Sequence, residues 1–271
     1  MEYKLPIRIA NSNKSTYGRV LNIAGSDFMP GAALLSSLAT LKIGAGYCFL
    51  YTTDKAILPI ASQSQNIVFV SNDKLMSELN NSDVVSIGCG LTTKDWAKSL
   101  FLHILSNIDN SKPLIIDADG LNILSTNFVQ YSKLKLNNVI LTPHPKEAAS
   151  LLSTTTEYIL KNLEDSAKQL AKKYNATIAL KTHRTIISTP DEKIHINNSG
   201  NNALAKAGSG DVLTGMIAGL VAQKLDIFEA VKTAVYLHGL SGELASKDLT
   251  QYCVLASDII NYIPVAIKTI K

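Results

Sequence analysis

Asn201-Asn202-Ala203-Leu204-Ala205-Lys206-Ala207-Gly208-Ser209-Gly210-Asp211-Val212-Leu213-Thr214-Gly215 is a glycine turn that runs into a helix carrying a carboxylate in its first turn. Gly208 and Gly210 permit backbone conformations closed to other residues and let main-chain N–H groups approach an anion without a Cβ in the way. Downstream, Leu213, Met216, Ile217, Leu220 and Val221 recur at helical spacing. The turn therefore ends at a helix N-terminus with unpaired N–H donors and the positive end of a dipole. Asp211 has two readings on this stretch alone: a helix cap, or an acid placed beside bound phosphate.

Upstream, short apolar runs alternate with helical periodicity. Residues 19–24 read as a strand that ends at Gly25-Ser26, and 31–43 as a helix stopped by Gly44-Ala45-Gly46. Further strands are expected at 47–52, 67–70, 84–87, 114–116, 139–141 and 177–180, with helices around 94–108, 146–152 and 157–174. Such alternation implies a mainly parallel sheet covered on both faces. Residues 185–188 and 193–196, joined through Thr189-Pro190-Asp191-Glu192, predict an antiparallel hairpin at one sheet edge. The remainder is helical over 227–246 and 257–263, with Pro264 helping to end the last helix.

A chain of 271 residues, 46% hydrophobic, can bury a sizeable core. No linker, repeat or low-complexity tract interrupts it, so 1–271 is expected to be a single domain. The polar opening Met1-Glu2-Tyr3-Lys4-Leu5-Pro6 does not suit a signal peptide, and the longest apolar stretch, 212–222, is too short to span a bilayer. A cytoplasmic protein without membrane contact is expected. Its 26 basic and 22 acidic residues are scattered rather than clustered, which argues against nucleic acid and suits a small anionic ligand. Cys48, Cys89 and Cys253 are far apart and odd in number, and are expected as buried, reduced thiols.

Ligands of open α/β sheets bind beyond the carboxyl ends of the strands. Three predicted strands end there in Ile87-Gly88-Cys89-Gly90-Leu91, Ile116-Asp117-Ala118-Asp119-Gly120 and Leu141-Thr142-Pro143-His144-Pro145-Lys146-Glu147. Each has a structural reading: a tight turn, a cap by Asp119, a helix begun by Pro145. Their shared placement points to one crevice. His144, restrained between two prolines, is suited to point at a ligand. Glu147 is a candidate water-mediated contact to Mg²⁺, an ion that retains much of its water shell. Lys181, with Thr182, His183, Arg184 and Thr185, offers a cation and hydroxyls to a polyphosphate or ribose. The remaining histidines, His103, His195 and His238, form no metal-ligand pattern and read as structural or surface residues.

Taken in order, Lys14 to Ser26 with its Tyr17-Gly18, then Met29-Pro30-Gly31-Ala32-Ala33, Gly44-Ala45-Gly46, Asp117-Ala118-Asp119-Gly120-Leu121-Asn122, the Thr-Pro-His-Pro-Lys-Glu segment ending at Glu147, and Ala207 to Gly215 resemble the ADP-dependent NAD(P)H-hydrate dehydratases. The resemblance runs from about Lys14 to Pro264. It implies a ribokinase-like three-layer αβα sandwich with a mostly parallel central sheet and an antiparallel edge hairpin. It also implies a repair activity: dehydration of (S)-NADHX or NADPHX to NADH or NADPH through a phosphorylated intermediate, with ADP (or ATP) as donor, release of AMP and phosphate, and Mg²⁺. Carried over by position, it suggests Asp211 as base, with Ala33, Gly90, His144 and Asp211 on the damaged dinucleotide. Lys181 to Thr185, Ala207, Gly208, Ser209 and Gly210 fall to the adenine nucleotide, and Asn201 shapes the phosphate loop. A homotetramer and a functional link to an NAD(P)HX epimerase are further implications. Asn202-Ala203-Leu204, Thr182 and Cys89 depart from the family's usual residues, which bears most on the nucleotide loop. Two rivals share much of this pattern: a small-molecule kinase acting on a hydroxymethylpyrimidine, thiazole alcohol or sugar, and an inactive nucleotide-binding sensor.

Overall fold

A computed structural model describes residues 3–134 and 136–270. The expectations for a single domain over 1–271 and for the polar opening also take in Met1, Glu2, Lys135 and Lys271, which lie outside the described residues. Nine strands among the described residues form one sheet: β1 Arg19–Ile23, β2 Tyr47–Tyr51, β3 Val68–Phe69, β4 Val84–Ile87, β5 Leu114–Ile116, β6 Val139–Leu141, β7 Ala176–Leu180, β8 Ile186–Ser188 and β9 Ile194–Ile196. Their order is β3-β2-β1-β4-β5-β6-β7-β8-β9. Pairing is parallel from β3 through β7 and antiparallel at β7–β8 and β8–β9, so the expected edge hairpin is present.

Strand order reverses at β1, and the chain leaves β1 and β4 in opposite directions along the sheet. This opens a crevice beyond their carboxyl ends. The Gly25 N–H donates to the Cys89 carbonyl at 2.7 Å and ties the two strand-end loops together.

The helices are α1 Pro30–Lys42, α2 Asp54–Ala61, α3 Leu75–Asn81, α4 Asp95–Asn107, α5 Asp119–Thr126, α6 Phe128–Leu134, α7 Pro145–Leu152, α8 Thr156–Lys161, α9 Leu163–Tyr174, α10 Ser209–Ala222, α11 Ile227–Cys253 and α12 Ala256–Thr269. Successive strand residues point to opposite faces, and the core divides accordingly. Leu21, Ile23, Val85, Ile87, Leu114, Ile116 and Ile178 join one core with residues of α4, α5, α7 and α9. Val20, Val84, Ile115, Ile140 and Ala179 join another with α10, α11 and α12. Continuous apolar runs such as Leu114-Ile115-Ile116 are what a strand buried on both faces requires. Asn22 is a buried polar residue satisfied where α1 crosses β1 and β4: it donates to Ser36 and Ser37 at 2.8 and 3.0 Å and accepts from Ser86 at 2.7 Å.

Three helical expectations change. The run 157–174 is two helices, because Asn162 leaves helical geometry (φ −134°, ψ 50°) and its side chain closes α8 on the Tyr158 carbonyl at 2.9 Å. Pro264 does not end the last helix. The chain continues to Thr269, where Ala266 is buried and Ile267 and Ile270 pack on the core, so tertiary contact outweighs the lost hydrogen bond. Helix α11 extends to Cys253 across a kink at Thr250 (φ 64°), which leaves Cys253 exposed rather than buried as expected. No helix among the described residues is long and apolar enough to cross a membrane.

Candidate active site

Helix α10 begins where the glycine turn predicts. Gly208 occupies its N-cap position at φ 89°, and a Cβ there would stand 2.5 Å from Leu35 Cδ1. No side chain caps the helix. The amides of Ala207, Gly208, Gly210 and Asp211 have no hydrogen-bond partner among the described residues, while those of Ser209 and Val212 bond back to Lys206 and Gly208. Unpaired donors at the positive end of a helix form an anion site. Asn201 supports the approach to it: its Oδ1 accepts from the Ala203 amide at 3.0 Å and its Nδ2 donates to Ser246 Oγ at 2.9 Å.

Asp211 stands in the first turn beside those donors. Burial, followed by the negative charge of Asp117, pushes its carboxyl up to about 6. It therefore exchanges a proton near neutrality, as a general base must. The Cys89 thiol lies between Asp211 and Asp117, and burial with those two charges holds it protonated.

Asp117 is the centre that sequence reasoning missed. Fully buried at the end of β5, it accepts from Lys181 Nζ and Thr214 Oγ1, both at 2.7 Å. Burial alone would raise its pKa, but the Lys181 ammonium and the Thr214 hydroxyl together bring it below the ordinary carboxylate range. Lys181 is likewise held charged: burial opposes the ammonium, and Asp117 with Glu147 overrides it. Its Nζ would stand 3.4 Å from a Cβ on Gly210, so the cation sits at the lip of the anion site. The turn after Asp117 is strained, with Ala118 at φ 50°, ψ −120°. Asp119, opening α5, accepts from the Thr92 amide at 2.7 Å and fastens the loop after β4. The Asp-Ala-Asp-Gly segment contained the signal; what it lacked was the partner, since Lys181 and Thr214 are remote in sequence.

His144 and Glu147 lock each other at the start of α7. His144 Nδ1 accepts from the amides of Lys146 and Glu147, both at 3.1 Å, and Glu147 Oε2 accepts from the His144 amide at 2.8 Å. This reciprocal cap fixes the ring and assigns the imidazole proton to Nε2, which stands 3.4 Å from Glu147 Oε1 on a half-exposed ring. Burial, followed by the charge of Lys181, lowers the His144 pKa and favours the neutral ring. Burial raises Glu147 to about 7.

Gly90 is buried against Met29 and Ala32, at the carboxyl end of β4. Ala33 has no exposed surface and backs the crevice wall, whereas Gly31 of the same helix is exposed. Thr182 donates to the Arg184 carbonyl at 2.7 Å, His183 and Arg184 are exposed, and Thr185 is buried. Of the histidines expected to be structural or on the surface, His103 is exposed, and His238 is buried and neutral, lowered by burial to about 4. Its Nε2–H donates to the Ser209 carbonyl at 2.9 Å, so it braces the glycine turn from behind.

Residues 20–265 match the family model described as NAD(P)H-hydrate dehydratase. The chain is 34% identical over 281 residues to the bifunctional NAD(P)H-hydrate repair enzyme Nnr of Moorella thermoacetica, covering 99% of this chain and 52% of that protein. It is 35% identical over 266 residues to the ADP-dependent (S)-NAD(P)H-hydrate dehydratase of Bacillus subtilis, covering 96% and 92%. The chain thus spans about half the length of the bifunctional relatives it matches. A solved structure of the ADP/ATP-dependent NAD(P)H-hydrate dehydratase from Bacillus subtilis, co-crystallized with ATP/Mg²⁺, superposes with a TM-score of 0.85 at 31% identity, covering 98% of this chain and 95% of that one. The architecture is the ribokinase-like one.

Proposed function

The chain belongs to the NAD(P)H-hydrate dehydratase family, and on that premise we propose that it restores hydrated NADH and NADPH by ADP-dependent dehydration. The observation that carries this reading is the set of unpartnered amides at the start of α10, with Asp211 on one side and Lys181 on the other. Phosphoryl transfer needs a positioned nucleophile and fixed positive charge around the phosphoryl oxygens.

In this proposal Asp211 takes the proton of the ring hydroxyl as its oxygen attacks the terminal phosphorus of ADP, and AMP leaves. The amides of Ala207, Gly208 and Gly210 receive the phosphoryl oxygens, and Lys181 adds a cation at their edge. The ring nitrogen then donates its electron pair as the C–O bond breaks, phosphate departs, and the adjacent carbon loses a proton to restore the double bond. Net products are the reduced cofactor, AMP and phosphate, which makes the reaction a carbon–oxygen lysis. The site's walls hold the ring and exclude water. His144 Nε2–H, Gly90 and the wall backed by Ala33 face the damaged dinucleotide, and residues 181–185 face the adenine nucleotide.

Magnesium fits as a companion of the nucleotide. No cluster of three metal-ligating side chains exists among the described residues, while Glu147 supplies a hard oxygen donor suited to contact through water. The ion, when bound, neutralises phosphate charge. A cytoplasmic homotetramer acting alongside an NAD(P)HX epimerase completes the proposal; the bifunctional relatives support the link to a second activity.

ADP labelled in its terminal phosphate tests the reading against a kinase of the same fold. The label should appear as free phosphate in step with AMP; label retained in a stable phosphoester would establish a kinase instead. His144 offers a finer check. His144→Ala is expected to cost about 1 kcal/mol through loss of the cap. His144→Asn should recover that stability in a urea unfolding curve, because Asn also caps, yet both variants should show a raised KM for the hydrated cofactor.

A further inference from the structure

We infer that a cavity beside the crevice seats the adenosine half of the hydrated dinucleotide; this rests on the dehydratase reading and names a subsite for its substrate. The cavity measures about 270 Å³ and opens beyond the carboxyl ends of β1 and β2, against the start of α4. Gly25 lines it, and the Gly25 amide is bonded to the carbonyl of Cys89, whose thiol reaches Asp117. The space therefore adjoins the reacting centre. Pockets that enclose whole small ligands run to about 300–1,000 Å³. This one suits a single nucleoside. The reacting ring is committed to Asp211 and the phosphate donor to the α10 amides, so the adenosine half is the part of an extended dinucleotide left to occupy a neighbouring space.

Its walls have the matching chemistry. Trp96, the chain's single tryptophan, is 42% exposed and lines the cavity with Leu100, giving a flat base an aromatic and apolar face. Thr52 Oγ1 is buried there without a hydrogen-bond partner, a cost that a ligand's polar atom would relieve. Asn72 accepts from the Tyr51 hydroxyl at 2.7 Å through Oδ1, which leaves its NH₂ to donate to a ring nitrogen. Asp54 stands at the edge with a carboxylate for a ribose diol, the arrangement by which dinucleotide sites hold NAD. Lys55 follows Asp54 in the chain and Lys94 precedes Trp96 by two positions. Lys55 pairs with the Asp27 carboxylate at 3.0 Å and Lys94 adds its positive charge to the same carboxylate, so basic residues flank two of the cavity's lining residues in the chain.

The test uses the full chain with saturating ADP to occupy the phosphate site. ADP-ribose, which carries the adenosine half without the nicotinamide, should change Trp96 fluorescence saturably, and Asn72→Ala, an exposed position that keeps the reporter, should weaken that response. With hydrated NADH as substrate, Trp96→Ala should raise KM about tenfold or more through lost stacking, with a smaller effect on kcat. Absence of a saturable ADP-ribose signal, or an unaltered KM in Trp96→Ala, overturns the inference. If the wild-type chain fails to turn over hydrated NADH while ADP-ribose still moves Trp96 fluorescence, the dehydratase reading falls and the subsite is upheld.

Discussion

Replacing Asp211 by Asn is expected to lower kcat roughly 10²- to 10⁴-fold, the range typical of a lost general base. Nucleotide affinity should change little, because the amides that receive phosphate belong to the backbone and the Asn side chain occupies nearly the same volume. Calorimetric titration with ADP beside steady-state turnover separates the two effects; a variant that keeps substantial activity places the base elsewhere. The pH profile adds a second reading. A base works when deprotonated, and Asp211 in the free protein titrates at about 6, so kcat/KM should rise with pH through that value and level off above it. Glu147 titrates nearby, at about 7. The assignment is therefore made in Glu147→Gln, where Gln retains the reciprocal cap with His144. The limb near 6 should persist there if Asp211 is responsible.

Asp117 is expected to give the largest stability effect. Asp117→Ala leaves the Lys181 ammonium without its closest counter-charge and the Thr214 hydroxyl without an acceptor, at a cost of about 3–5 kcal/mol. Asp117→Asn keeps an acceptor oxygen and should lose less in urea unfolding. Its informative readout is the pH profile: the Asp117 charge helps to raise Asp211, so its removal should move the acid limb of kcat/KM to lower pH. A limb that stays in place would reduce Asp117 to a purely structural role.

Much of this arrangement was legible in the chain itself. The carboxyl ends of β1, β4, β5 and β6 could be located because each strand is a short apolar run halted by glycine, Asp or Pro, and those residues are where an open sheet binds ligands. The α10 turn was readable because Gly208 needs φ 89° and no other residue type adopts it so cheaply. Long-range pairing was not readable. Nothing local in Asp117 reveals that Lys181 and Thr214 will meet it, and His238 carries no motif, yet its ring braces Ser209. The extent of α12 was missed for a related reason: Pro264 signals a stop locally, and the packing of Ala266 and Ile267 that overrides it is tertiary. Ala33 sits at the expected place in the chain but behind the crevice wall, because helical phase, which a motif does not encode, turns it toward Gly25.

On the proposed function, a phosphoryl group passes to a hydrated nicotinamide ring and does not stay there. The most direct test is to incubate hydrated NADH with the protein, ADP and Mg²⁺ while following reduced-nicotinamide absorbance and phosphate together. Absorbance should recover and phosphate should appear mole for mole with it; no recovery with either ADP or ATP would overturn the dehydratase reading.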